Sequence, residues 1–354
     1  MKTGIVTIND NDNYGNRLQN YALYKILENN NFDVTTIVNE PFSNTKKLYL
    51  LRILKNINYK GTYSDNKKRA QNFKEFNKNI KFSSKKITAY SKLKEYDYVI
   101  TGSDQVWNPD FGRLRDVDLL TIVPGNKRIA FSASFGVNDI LDKIKPRVAN
   151  ELKKFKAISV REDRGKEIVE ELTGRKDVEV LVDPTMLLTS EEWDKVSKKP
   201  TMLKTDKYIL NYFLGELSEE RRKEINRVAK EKNCEVINIL DKNSPFYECG
   251  PSEFLYLEKH AFLICTDSFH SSVFAILYNT PFLVFDREQK NLVSMNSRLE
   301  TLLSKFKLQD RKYTEKITDK VLKCDYTKAY KILDKERVKA KEFLIKALDI
   351  KDSD

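Results

Sequence analysis

Apolar and polar residues alternate along the first half of the chain in a rhythm that predicts strands followed by helices. The apolar run 4–8 predicts a buried strand, and apolar residues at helical spacing predict a helix over 15–28. Strands that alternate with helices of this length indicate a mostly parallel, doubly wound sheet. Further strands are predicted at 33–38, 96–101, 128–132, 157–160 and 178–182, and further helices over 138–155 and 163–172.

The alternation restarts after the stretch 183–207, which carries Pro184 and Pro200 and which we interpret as a loop-like connection between domains. We therefore predict an α/β fold with two Rossmann-like, doubly wound domains that face a cleft. The predicted bounds are 1–185, with a basic helical insertion near 43–95, then 186–325, then a helix in 326–354 that packs back on the first domain. Strands of the second domain are predicted at 208–214, 235–239, 262–266 and 282–285, and helices over 218–232, 251–259, 268–277 and 297–306.

Composition excludes several classes of protein. The 354 residues are 40% apolar and 33% charged, which is typical of a globular chain of about two domains. No apolar run approaches the roughly 18 residues that span a bilayer, and the N-terminus lacks the features of a secretory signal. Four widely spaced cysteines without a CxxC pair favour a reducing cytoplasm and argue against a structural zinc site.

Positive charge is concentrated in one segment. Residues 43–95 hold 15 Lys and Arg against 3 Asp and Glu, an excess equal to the net charge of +12. Such a segment, which includes Lys67, Lys68 and Arg69, can attract an anionic polymer or a membrane surface. The alternative is a solvated helical insertion. Nucleic acid is not a predicted partner, because no recognised binding motif accompanies the charge.

The second domain carries the strongest candidate site, in 265–272, where a predicted strand ends and a helix begins. Asp267 or Ser268 is suited to cap that helix, which leaves backbone N–H groups free to bind an anion. His270 would lie in the first turn as an acid or base near neutral pH, and Ser271 would add a donor. The alternative is an ordinary capped helix.

Three stretches of the first domain also follow predicted strands. Asn16 and Arg17 open a helix after a loop with a single Gly, and a simple cap and turn explains them equally well. Arg161 would clamp a carboxylate or phosphate, unless it pairs with a neighbouring acid. The loop 102–109 suits carbohydrate, because amides bind hydroxyls and an aromatic face stacks on sugar rings, although a plain loop is the alternative. Its candidate residues are Ser103, Asp104, Gln105, Trp107 and Asn108.

Taken together, these stretches resemble the polysaccharide pyruvyl transferase family. The resemblance spans about 4 to 311, leaves the basic insertion and the last helix outside it, and includes Arg298 among its matching positions. The matching runs, in family order, are 13–19, 101–108, 159–163, 183–185, 250–254, 266–271 and 297–311.

The resemblance implies two Rossmann-like domains arranged as in GT-B glycosyltransferases. It also implies transfer of the enolpyruvyl unit of phosphoenolpyruvate to two hydroxyls of a sugar, which forms a pyruvate ketal and releases phosphate. In this scheme His270 is the general acid, while Arg161 and the amides of 268–272 hold the anionic groups. The remaining candidates bind substrate, and the scheme requires no metal or other cofactor.

One departure from the family pattern concerns an arginine. Several members carry Arg two residues before the histidine, and here that position is Ser268. Arg17, Arg287 or Arg298 could take its place. Asp267 would orient His270 or act as a base toward an acceptor hydroxyl.

The expected acceptor is a glycan or lipid-linked sugar at the cytoplasmic face of the membrane, which the basic insertion would contact. Two other functions stay open at this point. One is a GT-B glycosyltransferase that takes a nucleotide sugar, because the fold supports both activities. The other is a non-catalytic, glycan-binding member of a synthesis complex.

Overall fold

The structure is a computed structural model that describes residues 1–9, 11–39, 66–84, 87, 91–287 and 296–350. The chain divides into two units by its contacts. Unit 1 comprises Met1–Ser64, Asn77–Leu187 and Glu336–Asp354, and unit 2 comprises Asp65–Phe76 and Leu188–Lys335.

Unit 1 is built on a parallel sheet of six strands in the order β2-β1-β3-β4-β5-β6. Ile5 of β1 lies opposite Thr36 of β2 and Ile100 of β3, and such apolar residues are buried because helices cover a parallel sheet on both faces. The strands are β1 (Lys2–Val6), β2 (Asp33–Thr36), β3 (Tyr98–Thr101), β4 (Arg128–Ala133), β5 (Ala157–Val160) and β6 (Glu179–Val180). The first helices in chain order are α1 (Tyr14–Asn29), α2 (Lys67–Asn77), α3 (Lys145–Leu152) and α4 (Asp163–Thr173).

Unit 2 contains a parallel sheet of four strands in the order β10-β9-β7-β8. The whole of β9 is buried in its centre. The strands are β7 (Tyr208–Tyr212), β8 (Glu235–Asn238), β9 (Leu263–Thr266) and β10 (Phe282–Val284). The remaining helices are α5 (Ser190–Asp194), α6 (Glu219–Lys232), α7 (Pro251–His260), α8 (Phe269–Leu277), α9 (Asn296–Phe306), α10 (Asp319–Leu322) and α11 (Thr327–Ala347).

These two parallel, doubly wound units confirm the predicted fold class. Two local predictions were wrong. The helix expected over 138–155 is limited to α3 and follows a short 3-10 turn, Asp142–Ile144. The stretch 183–207 is not simply a loop, because it contains the 3-10 turn Pro184–Met186 and the helix α5. Helix α5 starts with a capping box between Thr189 and Glu192, a signal that the two prolines obscured.

Helix α2 lies in the basic segment but packs within unit 2, whereas we predicted it in the first domain. Arg69 Nη1 donates to the backbone oxygens of Tyr247 and Cys249, each over 3.1 Å, and the guanidinium lies over the rings of Phe73 and Tyr247. Asn72 Nδ2 donates to the backbone oxygen of Glu248 over 2.7 Å. The prediction that Arg69 contacts a membrane is therefore wrong, because its side chain is buried. The remaining residues of the predicted insertion, 43–65, 85–86 and 88–90, lie outside the described residues.

The last long helix, α11, is shared between the units. Before Glu336 it belongs to unit 2, where Tyr330 Oη donates to the backbone oxygen of Ile276 over 2.9 Å. From Glu336 onward it belongs to unit 1, where Arg337 Nε donates to the backbone oxygen of Met186 over 2.9 Å. None of the helices in the described part of the chain is both long enough and apolar enough to cross a membrane.

Candidate functional site

Three loops at the carboxyl ends of the unit 2 strands meet at one buried carboxylate. Asp267 follows β9, and its Oδ1 accepts from the backbone N–H of Leu214 over 2.7 Å. Its Oδ2 accepts from the N–H of Gly215 over 2.8 Å and from Nε of Arg287 over 3.0 Å. Because Leu214 and Gly215 follow β7 and Arg287 follows β10, Asp267 ties the ends of three neighbouring strands together.

The helix that carries His270 begins directly after this carboxylate. Ser268 is the N-cap of α8 and has extended backbone angles, with no hydrogen bond from its side chain to the helix. Thr266 Oγ1 accepts from the N–H of Ser268 over 3.0 Å and donates to the backbone oxygen of Tyr212 over 2.6 Å, which fixes the turn. His270 therefore lies in the first turn of α8, with its ring 5.4 Å from that of Phe269 and 7% of the residue exposed.

Ser271 does not serve the role that we predicted for it. Its Oγ donates to Oε1 of Glu258 on α7 over 2.6 Å, and both residues are fully buried. The hydroxyl thus points into the interior of unit 2, where it is not available to a substrate. Burial raises the pKa of Glu258 well above its usual range, so a neutral carboxyl lies behind the His270 helix.

The prediction that Asp267 orients His270 is also wrong, whereas its role as a base toward an acceptor hydroxyl stays a prediction. Both oxygens of its carboxylate accept from the loop after β7 or from Arg287, and no described contact joins the carboxylate to the imidazole. Asp267 is a structural anchor that positions Arg287. Of the other arginines considered in its place, Arg298 lies buried on α9 and Arg17 belongs to unit 1.

In unit 1, Arg161 is held by two carboxylates that sequence reasoning did not pair with it. Its Nη1 lies 2.8 Å from Asp183 Oδ2, and its Nη2 lies 3.1 Å from Asp104 Oδ1, with all three side chains buried. Ser103 Oγ donates to the same Asp183 oxygen over 2.8 Å. Arg161 therefore belongs to an internal ion-pair network and does not form the predicted clamp for an anion. This network also includes Ser103 and Asp104.

This network extends to α1 through a residue that we did not single out. Gln19 Nε2 donates to Thr7 Oγ1 over 2.8 Å, while Gln19 Oε1 accepts from the N–H of Ser103 over 2.9 Å. Glu162, which follows Arg161, accepts from Ser134 Oγ over 3.0 Å. Both Gln19 and Glu162 stand in the runs that match the family, so those runs were the signal that could have identified them.

The aromatic residue of the loop 102–109 is part of the core. Trp107 is fully buried, and its ring centroid lies 5.2 Å from that of Phe135 and 6.0 Å from that of Phe155. Its Nε1 donates to the backbone oxygen of Asp118 over 3.2 Å. The prediction that Trp107 stacks on a sugar is therefore wrong, since no face of the ring is exposed.

The other predicted contacts in unit 1 are largely internal. Asn108 Oδ1 accepts from the N–H of Asp110 and so caps a short 3-10 turn. Arg17 is fully buried, with Nη2 3.4 Å from the backbone oxygen of Ile8. Asn16 and Gln105 keep small exposed fractions of 8% and 7%. Within the described residues, no group of three His, Cys, Asp or Glu side chains could hold a metal ion.

Two parallel, Rossmann-like α/β units are the architecture of GT-B proteins, and a similar solved structure agrees. A protein from Listeria monocytogenes assigned as a UDP-N-acetylglucosamine 2-epimerase has a TM-score of 0.50 and 11% identity, with 98% of this chain and 90% of that chain covered. The UDP-GlcNAc 2-epimerase of Methanocaldococcus jannaschii has a TM-score of 0.48 and 16% identity, with 95% and 94% covered. At 11% identity, the likeness to the Listeria monocytogenes protein concerns the fold alone.

The family follows from the sequence match. The model of the polysaccharide pyruvyl transferase family matches residues 13–289, and the chain belongs to that family. Comparison with curated proteins gives no significant match.

Proposed function

We propose that this protein transfers the pyruvyl unit of phosphoenolpyruvate to two hydroxyls of a sugar, in a cell-surface polysaccharide or its precursor. The acceptor would be met in the cytoplasm, at the inner face of the membrane. Membership of the polysaccharide pyruvyl transferase family supports the reaction class. The observation that carries the proposal is the position of His270, in the first turn of a helix at the carboxyl edge of a parallel sheet.

The reaction needs one proton at carbon and two new bonds to oxygen. Protonation of C3 of phosphoenolpyruvate gives a cation-like C2, which the first sugar hydroxyl attacks. The second hydroxyl then displaces phosphate, so that two C–O bonds form at C2 and the C–O bond to phosphate breaks. The hydroxyls release two protons, of which one replaces the proton consumed at C3 and the other leaves with phosphate.

His270 is the group that we assign to protonate C3. An imidazole changes its charge near neutral pH, which suits a general acid. The chain holds one other histidine, His260, which is exposed at the C-terminal end of α7, just before β9 begins rather than at a carboxyl strand end. At the N-cap, Ser268 makes no side-chain hydrogen bond to the first turn of α8, and the N-terminal end of a helix favours a negatively charged group beside His270.

Phosphate release from phosphoenolpyruvate, followed by phosphorus NMR with a panel of glycan acceptors, tests the proposal. We expect acceptor-dependent release by the parent protein and none above background by H270Q. H260Q is the matched control and should retain the parent rate. Release that persists in H270Q removes His270 from the mechanism.

Thermal shift separates the alternative functions, because a ligand that binds only the folded state raises the melting temperature. Stabilisation by phosphoenolpyruvate supports the proposal. Stabilisation by a nucleotide sugar alone favours a glycosyltransferase. A chain that is stabilised by neither, and that releases no phosphate, is not the enzyme proposed here.

A further inference from the structure

Arg287 is held in a fixed position against the carboxylate that precedes the His270 helix. Its Nε donates to Asp267 Oδ2 over 3.0 Å, and its Nη2 donates to the backbone oxygen of Asp267 over 3.4 Å. The side chain is only 9% exposed. Two contacts to one residue fix both the position and the plane of the guanidinium.

Gly215 allows this close approach. A Cβ atom at position 215 would lie 2.6 Å from Arg287 Cγ and 3.1 Å from Asp267 Oδ2. The first distance is a clash, so a larger residue would push the Arg287 side chain away. Because residue 215 is Gly, the loop after β7 leaves room for the Arg287 side chain to reach Asp267.

The pairing with Asp267 leaves Arg287 with donors to spare. Nη1 donates to no described residue, and 9% of the side chain is exposed. The Asp267 carboxylate, in contrast, already accepts three hydrogen bonds, including those from Leu214 and Gly215. The Nη1–Nη2 edge of the guanidinium is thus suited to planar contact with an anionic group.

The charges next to Arg287 are paired with one another. Asp286 is paired with Lys312, whose Nζ lies 3.2 Å from its carboxylate, and Arg221 donates to its backbone oxygen over 2.6 Å. Lys312 Nζ also lies 3.9 Å from Glu300 Oε1, so with Arg287, Asp267 and Glu300 these residues carry three positive and three negative charges. The neighbouring charges therefore balance, and what attracts a negatively charged group is the guanidinium edge of Arg287 itself.

We propose that Arg287 binds the phosphoryl group of the donor, beside His270. Arg287 follows β10, but its guanidinium is hydrogen-bonded to Asp267, which follows β9 and stands three residues before His270 in the chain. The identity of the donor rests on the function proposed above, whereas the binding of phosphate by Arg287 does not. Arg287 would stabilise the departing phosphate, while His270 supplies the proton to C3.

Calorimetric titration of the full chain with inorganic phosphate, and separately with pyruvate, tests this assignment. We expect R287Q to weaken phosphate binding about 10- to 100-fold, which is the effect of losing a charged hydrogen-bonded contact. Pyruvate binding should not change. R227Q is the matched control in unit 2 and should bind phosphate like the parent, because Arg227 pairs with Glu224 and Glu231 on α6.

A second variant keeps the test decisive if R287Q fails to fold. G215A displaces the guanidinium without removing its charge, and it should also weaken phosphate binding. Phosphate affinity that is the same in the parent and in the folded variants overturns the assignment. A parent protein that binds no phosphate also overturns the assignment. The same holds if the variants lose affinity for pyruvate but not for phosphate. A parent that binds phosphate through Arg287 but forms no ketal from phosphoenolpyruvate refutes the proposed function and leaves this inference standing.

Discussion

Replacing Glu258 by Gln removes a carboxyl group that unit 2 buries completely. Oε1 accepts from Ser271 Oγ over 2.6 Å, while Oε2 is buried without a hydrogen-bond partner among the described residues. Burial raises the pKa of Glu258 well above its ordinary value of 4.5. The folded protein therefore keeps a proton on Glu258 at a pH where the unfolded chain has released it.

The sign of the pH dependence follows from this raised pKa. The stabilising contribution of the protonated carboxyl is complete below the unfolded pKa and is lost as the pH rises toward the folded pKa. Each pH unit in that window lowers the free energy of unfolding by about 1.4 kcal/mol. Between pH 5 and pH 7, Glu258 thus accounts for a loss of at most about 2.7 kcal/mol.

Gln keeps the size of the side chain and still accepts from Ser271, but it does not titrate. We expect E258Q to gain stability relative to the parent as the pH rises from 5 to 7, by up to about 2.7 kcal/mol. E224Q is a control of opposite sign, because a hydrogen bond from Arg227 lowers the pKa of Glu224. Its stability should fall below that of the parent at pH 7, and the difference should shrink as the pH falls toward 4.

Urea unfolding followed by the fluorescence of Trp193 measures this effect in unit 2. The Trp193 ring lies 5.1 Å from that of Phe274 on α8, the helix that carries Ser271. The chain contains only two tryptophans, so a W107F background leaves Trp193 as the single reporter. If the parent and E258Q lose stability in parallel between pH 5 and pH 7, Glu258 is not protonated in the folded state and the reasoning fails.

Three further predictions concern residues whose assignment changed between sequence and structure. W107A should lower the free energy of unfolding by about 3–5 kcal/mol in urea titrations, as expected for an emptied core position; a change in acceptor KM without a loss of stability would contradict this. R161M should cost about 3–5 kcal/mol by the same measurement, because two buried carboxylates lose their partner, and R164Q on the surface should cost little. R69A should speed hydrogen exchange in 67–77 whereas K68A should not, and equal exchange in both would show that Arg69 does not hold α2.

The sequence was sufficient for the order of the strands, because apolar periodicity depends only on near neighbours. The strand β9 and the helix α8 were expected within one residue of where they lie. Their ends meet at Asp267 and Ser268, so the placement of His270 in a first helical turn also followed from local pattern. The family runs then suggested the chemistry that we propose for this placement.

The sequence was not sufficient for contacts between distant residues. Arg161 meets Asp104 across 57 positions, and Arg69 meets the backbone at Tyr247 across 178 positions. Neither pairing leaves a local signal, so Arg161 was expected to face a ligand and Arg69 a membrane. The prediction that Trp107 contacts a sugar was wrong for a related reason. The polar residues next to it in the chain are typical of a surface loop, but the rings that pack against it belong to Phe135 and Phe155.

Proton NMR of the ketal product formed in deuterium oxide tests the central claim most directly. If His270 delivers a solvent-derived proton to C3 of phosphoenolpyruvate, the product carries a methyl group with one deuterium, and H270Q forms no such product. A product that retains the unsaturated methylene carbon, or an equal rate of deuterium incorporation in H270Q, would contradict the account.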